Sequence, residues 1–262
     1  MIGKRILLAV LFVGILFTGT IGRAQEITVA AAADLQFAFQ DVAARFQHDS
    51  GKSAKVIYGS SGNFFAQIQN GAPFDVFFSA DSEYPRKLEA AGLTEPGTIY
   101  EYAVGKIVLW APKDSSLDLS GGLAVLLDPK VKKIAIANPE HAPYGRAAVS
   151  ALQYEKLYDK VRQKFVLGEN ISQTASFVAS GSADVGIVAL SLALAPSMKE
   201  RGKYVEIPGD EYPPIRQAAV VLKSSKQKAV AEQFLDYVKS PAIADLLKSY
   251  GFSLPAGAAM AH

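Results

Sequence analysis

The chain has 262 residues, half of them hydrophobic and one in five charged, with 21 glycines, 13 prolines and no cysteine. That composition excludes a disordered tail, a collagen-like fibre and a disulfide-held scaffold. The formal charge of +2 belongs to the front end, where Lys4, Arg5 and Arg23 precede the first acid, Glu26; from residue 25 onward basic and acidic residues number 24 and 25, a balance with no footprint for nucleic acid or an anionic membrane.

Residues 1–24 read as a secretory signal peptide. Two positive charges are followed by an apolar run from Ile6 to Phe17, and Gly22 and Ala24 put small residues at the positions read by signal peptidase, so cleavage is expected after Ala24. Twelve residues at helical rise cover roughly 18 Å, too short for the hydrocarbon core of a membrane. Without cysteine there is no lipid anchor, so the expectation is a soluble exported protein in the periplasm, with a core large enough to fold without disulfides.

Beyond the leader, short runs rich in Val, Ile and Phe alternate with segments of helical period, the pattern of an α/β fold with mainly parallel sheets. Strands are predicted at Ile27 to Ala32, Lys55 to Tyr58, Asp75 to Phe78, Lys106 to Trp110, Ile134 to Ala137, Asp184 to Val188 and Ala218 to Leu222. Leu35, Phe39, Val42 and Phe46 recur on one helical face, as do Val230, Phe234, Tyr237 and Val238. Ser240, Pro241 and Gly251 read as a cap, a first-turn proline and a terminating glycine.

An internal echo links two segments. Phe64 to Gly71 followed by Asp75-Val76-Phe77-Phe78 is a short helix, a glycine stop and a buried strand opened by Asp-Val; Thr174 to Gly181 followed by Asp184 to Val188 repeats the plan. Two similar lobes are expected: one from 25–103 plus 217–254, the other from 104–216, with a flexible tail at 255–262. Crossings at Tyr102 to Gly105 and at the proline-rich Glu211 to Gln217 would form a double hinge suited to closure on a ligand.

Several chemistries are missing. His48, His141 and His262 are far apart and no metal-binding spacing occurs; neither a G-x-G-x-x-G nor a G-K-[ST] motif is present; Gly59-Ser60-Ser61-Gly62 has the wrong spacing for a serine nucleophile. No cofactor is expected, and the enzymatic alternative is an exported hydrolase built on Asp34 and Asp75. What stands out is four junctions where a strand meets small or polar residues before a helix: Ala31 to Asp34, Gly59 to Asn63, Pro143 to Gly145 and Glu169 to Ser172. Helix starts carry unpaired N–H groups and the positive end of a dipole, so they hold an anion without lysine or arginine. In an open α/β sheet they gather at the carboxyl ends of the strands, which makes a small oxyanion the expected guest.

The stretches Ile27 to Leu35, Gly59-Ser60-Ser61-Gly62, Gly71 to Asp81, Asn138 to Gly145 and Tyr250-Gly251-Phe252, in that order and spacing, resemble the periplasmic molybdate-binding proteins of ABC importers over nearly the whole mature chain. The resemblance implies a two-lobed type II periplasmic binding fold, each lobe a mainly parallel sheet flanked by helices. It also implies a receptor, monomeric by default, that binds molybdate or tungstate by neutral hydrogen bonds and delivers it to a membrane permease. Molybdenum would then be held only as its oxyanion. The alternative is the same kind of receptor for a sulfate or phosphate-like ion.

Carried over position by position, the family's ligand site falls on Asp34, Ser61, Tyr144 and Ile171. Ser61 would donate through hydroxyl and N–H, Tyr144 through N–H and its hydroxyl, and Ile171 through N–H; the plain alternatives are a helix cap, packing over the hinge and core. A tyrosine of some relatives aligns with Ala189, and Tyr144, standing where they carry a small residue, is the candidate for the missing hydroxyl. Asp34 departs from the family's hydroxyl or amide donor. Two unit charges 4 Å apart at an effective dielectric of 20 repel by about 4 kcal/mol, so either the carboxylate turns aside to cap the following helix or a proton is shared with the oxyanion. Capping is the expected arrangement, and it predicts that Asp34→Asn keeps or strengthens molybdate binding.

Overall fold

Two five-stranded sheets with helices packed on them account for most of residues 25–255, the part of the chain that the computed structural model describes. The leader expected over 1–24, and the expected tail apart from Pro255, lie outside the described residues. The first lobe runs β1 (Glu26–Ala32), α1 (Gln36–Ser50), β2 (Ser53–Gly59), α2 (Ser61–Gln69), β3 (Val76–Ser79), α3 (Glu83–Ala90) and β4 (Tyr100–Gly105). The second holds β5 (Ile107–Pro112), β6 (Ile134–Ala137), α4 (Pro143–Tyr154), α5 (Tyr158–Val161), β7 (Phe165–Gly168), α6 (Ile171–Ala179), β8 (Val185–Ala189), α7 (Leu190–Ala193), α8 (Pro196–Lys199) and β9 (Gly202–Glu206). The chain then returns to the first sheet through β10 (Ile215–Val221) and ends in α9 (Lys228–Val238) and α10 (Pro241–Ser249).

The strand orders are β2-β1-β3-β10-β4 and β7-β6-β8-β5-β9. In each sheet four strands run one way and the strand in the fourth position runs against both neighbours, so the sheets are mixed. That reversed strand is in both cases the first one after a crossing between lobes: β5 follows β4 directly, and β10 follows β9. The echo seen in the sequence falls on equivalent units, α2–β3 and α6–β8. Both aspartates of the echo tie down backbone at the start of a strand. Asp75 accepts from Thr28 N–H at 2.7 Å and from the Ser225 hydroxyl at 2.6 Å, and Asp184 accepts from the N–H groups of Lys132 and Lys133 at 2.8 Å each.

This geometry does not favour a hydrolase built on Asp34 and Asp75. Val76 pairs with Val29, so Asp75 lies level with Thr28 at the amino end of the sheet, while Asp34 follows the carboxyl end of β1. Four residues of strand rise, Thr28 to Ala32, already separate the two positions by about 13 Å, whereas glycoside hydrolysis needs the carboxyl groups within about 10 Å of each other.

Packing explains why these segments fold where they do. The α1 stripe of Phe39, Val42 and Phe46 is fully buried, and the helix stops at Gly51, whose φ of 71° lets its N–H reach Gln47 O. Phe234 of α9 lies edge-on to Phe46, Phe39 and Phe78, with ring centroids 5.0, 6.3 and 5.9 Å apart, locking the C-terminal helices onto the first sheet. At α10, Pro241 opens the helix and Gly251 ends it as expected, but Ser240 contributes its backbone carbonyl and its hydroxyl makes no cap bond. Replacing Phe234 by alanine is expected to cost about 3–5 kcal/mol, read as a lower urea midpoint with an unchanged slope.

Candidate functional site

Five strand ends converge on one small pocket between the lobes. The first lobe contributes Ala32, Ala33 and Asp34 after β1, Gly59 to Ser61 after β2, and Ala80 after β3; the second contributes Ala142 to Tyr144 and, after β7, Asn170 and Ile171. All four residues singled out in the sequence, Asp34, Ser61, Tyr144 and Ile171, therefore line a single space. No lysine, arginine or histidine is among the lining residues. A larger cleft of about 390 Å³ opens on the hinge side, but its cations are engaged, Arg146 with Asp81 at 2.6 Å and Arg216 with Glu101 at 3.5 Å.

Helix starts supply the donors. Ser61 and Ile171 are the first residues of α2 and α6, positions whose N–H has no intrahelical acceptor. Asn170 caps α6 by accepting from Ser172 and Gln173 N–H at 3.0 Å each and takes no bond from Ile171. The Ser61 hydroxyl does not cap its helix: its oxygen accepts from Ala80 N–H at 2.9 Å, which leaves its own hydrogen available. Proline at the start of α4 sets Tyr144 one residue into that helix.

Asp34 does not behave as expected. Its side chain caps neither the short 3-10 turn Ala33–Leu35 nor α1. It turns instead to the hinge, where Oδ2 accepts from the Tyr144 hydroxyl at 2.8 Å and from Gln217 Nε2 at 2.7 Å. The capping reading fails because two stronger donors, both buried, reach this carboxylate from the other lobe and the return strand. The same contact spends the Tyr144 hydroxyl on Asp34, so it is not the replacement donor expected for the tyrosine missing at Ala189; the N–H of Tyr144 remains. Gln217 also donates to the Tyr144 oxygen at 2.9 Å and accepts from the Tyr102 hydroxyl at 2.7 Å, and Ser191 Oγ donates to Asp34 O at 2.8 Å.

Burial dominates the electrostatics. Asp34 is 1% exposed, and desolvation raises its pKa to about 6, against hydrogen bonds from Gln217 and Tyr144 that pull it down. Its ordinary value lies at 3.8, so between these limits the folded chain binds the proton more readily than the unfolded one. The acid's contribution to stability is therefore lost as pH rises toward 6. Burial and the nearby Asp34 push the phenols of Tyr102 and Tyr144 well above their usual range, so both stay protonated donors.

The sequence reading missed Gln217, Tyr102, Ser191 and Gly105. A Cβ on Gly105 would sit 2.1 Å from the Tyr144 hydroxyl, so only glycine lets β4 pass this close. The one available signal was Gln217, an amide standing directly before the apolar run Ala218 to Val221 of β10. Around the cavity the lobes touch directly: Gly62 N–H donates to His141 O at 2.9 Å, His141 Nδ1 lies 3.0 Å from Ser60 Oγ, Asn63 bonds Glu169, and Ser172 bonds Gln36. The arrangement is that of two lobes closed on each other, and its chemistry is that of neutral donors around a small space.

Known proteins of this kind exist. The Molybdate-binding protein ModA of Azotobacter vinelandii is 42% identical over 232 residues, covering 88% of this chain and 91% of the relative. That of Rhodobacter capsulatus is 38% identical, covering 87% and 88%. The solved structure of the Azotobacter vinelandii periplasmic molybdate-binding protein superposes with a TM-score of 0.83 at 38% identity, over 87% of this chain and 99% of that one. The pattern of a family described as bacterial extracellular solute-binding protein matches residues 27–253. With that match spanning nearly all the described residues, the chain belongs to the bacterial extracellular solute-binding protein family.

Proposed function

We propose that this protein is an exported, monomeric receptor that closes on molybdate or tungstate and hands the ion to the membrane permease of an ABC importer, with no chemical step. The observation that carries the reading is the cation-free cavity at which helix starts from both lobes meet; the relatives named molybdate-binding protein support the choice of ion. In this reading Ser61 donates through hydroxyl and N–H, Tyr144 and Ile171 through N–H, and Asp34 stands beside the guest. No residue bonds to molybdenum itself, because all contacts are to the oxyanion oxygens. Selectivity follows from fixed donors: an ion too small for the shell leaves buried N–H groups unpaired, at about 1–3 kcal/mol each.

Thermal unfolding in the presence of molybdate, tungstate, sulfate and phosphate tests the assignment. Ligand at a hundred times its dissociation constant stabilises by about 2.7 kcal/mol, so molybdate and tungstate are expected to raise the melting temperature at concentrations where sulfate and phosphate do not. A larger rise with phosphate or sulfate would refute the choice of ion. Calorimetric titration tests the site. Ser61→Ala removes one donor to a charged acceptor, worth about 1.5–3 kcal/mol, so molybdate affinity should fall roughly 10- to 150-fold; an unchanged affinity in a folded variant would exclude Ser61 from the site.

A further inference from the structure

The hydrogens around Asp34 can be counted. The two N–H hydrogens of the Gln217 amide go to Asp34 Oδ2 and to the Tyr144 oxygen, and its carbonyl accepts from Tyr102. With an N–H pointed at its oxygen, Tyr144 sends its one hydrogen to Asp34 Oδ2. Oδ2 thus faces two donors and has no room for a proton of its own. Oδ1 is fully buried and has no hydrogen-bond partner, in a residue that lines the cavity. An ionised oxygen in that position is unfavourable, whereas a protonated one is a donor in want of an acceptor.

We propose that Asp34 enters the bound complex as a neutral acid whose Oδ1–H donates to an oxygen of the oxyanion, so that the site takes up one proton from solvent together with a dianionic guest. This rests on the oxyanion reading above and names the residue that makes it possible without a cation. The balance is simple: carboxylate, solvent proton and dianion give the acid and the bound dianion, with no bond to the ion formed or broken. Gln217 is the positioning residue, because it directs the Tyr144 hydrogen to Oδ2 and so assigns the acid proton to Oδ1.

Among the described residues, the other charged groups around the cavity are engaged elsewhere: His141 lies 3.0 Å from Ser60 Oγ and 3.6 Å from the Glu169 carboxylate. From β4 and α4 the titratable groups facing Asp34 are the phenols of Tyr102 and Tyr144, while α6 and α7 carry no charged residue. Arg146 of α4 is turned to Asp81, and Arg216 of β10 and Glu101 of β4 pair with each other. On β2, Lys55 pairs in register with Thr28, at the far end of the sheet. Along α1, Asp41 accepts from Tyr250, His48 and Asp49 pair on the surface, and Arg45 is exposed. The pKa of about 6 for Asp34 puts its titration where such coupling can be read near neutrality.

The test is calorimetric titration of the folded protein with sodium molybdate from pH 5.5 to 8, each point in two buffers of different ionisation enthalpy. Wild type should take up close to one proton per molybdate at pH 8, and its affinity should fall about tenfold per pH unit above pH 6, as one-proton linkage requires. In Asp34→Asn the amide supplies a permanent donor, so the affinity should be nearly flat with pH and exceed that of wild type at pH 8. Tight molybdate binding by wild type with no proton uptake overturns the proposal and leaves the ion assignment standing. Failure of wild type to bind molybdate at any pH overturns both. Because proton uptake is read on the wild-type chain, the test does not depend on the variant folding.

Discussion

Asp34 is a carboxyl group enclosed between two lobes with no cation beside it, and much of the surrounding structure follows from that placement. An acid in such a spot needs dipoles that cannot turn away. They come from separate parts of the chain: a phenol at the start of α4, an amide on the return strand and, on the backbone carbonyl of the same residue, the hydroxyl of Ser191. Gly105 is bare of a side chain because the Tyr144 hydroxyl occupies the space a Cβ would need. Neutral helix starts then complete the cavity wall, so that its polarity comes from backbone N–H and hydroxyl groups.

The two lobes share one plan, and the strands that join them serve both structure and site. Each sheet receives its reversed strand from the chain just after a crossing, so β5 and β10 are built into one sheet while continuing from the other. Gly105 and Gln217 sit on the first-sheet side of those crossings, next to the cavity. Rotation of one lobe against the other would therefore change the distance between Tyr144 and Asp34, coupling closure to the hydrogen bonds of the site. The direct contacts of Gly62 with His141 and of Asp81 with Arg146 belong to this closed arrangement.

How much of this could be read from residues alone depended on what each segment buries. The central strands β1, β3, β6 and β8 are apolar on both faces and were legible to within a residue or two; so were the α1 and α9 stripes. Strands β4, β7 and β9 were missed. All three lie at sheet edges; in β4 and β9 side chains such as Glu101, Lys203 and Glu206 break the apolar run, and β7 is only four residues long, closed by Gly168. The four junctions were legible because strand-to-helix turns have a recognisable composition, while the particular cavity residues within them came from the family resemblance. The direction in which Asp34 and Tyr144 point was not legible, since it is set by Gln217, a partner 183 residues from Asp34 in sequence. Local capping propensity lost to a tertiary hydrogen bond, as happens where buried polar groups from distant segments must satisfy one another.

The central claim is that uncharged hydrogens from both lobes hold a doubly negative ion. A crystal structure of the protein grown with molybdate tests it most directly. The account predicts an ion whose oxygens accept from Ser61, Tyr144 and Ile171 and lie within hydrogen-bond distance of Asp34 Oδ1, with no lysine or arginine in contact. An ion seated instead against Arg146 or Arg216 in the hinge-side cleft, or touched by any lysine, would contradict it.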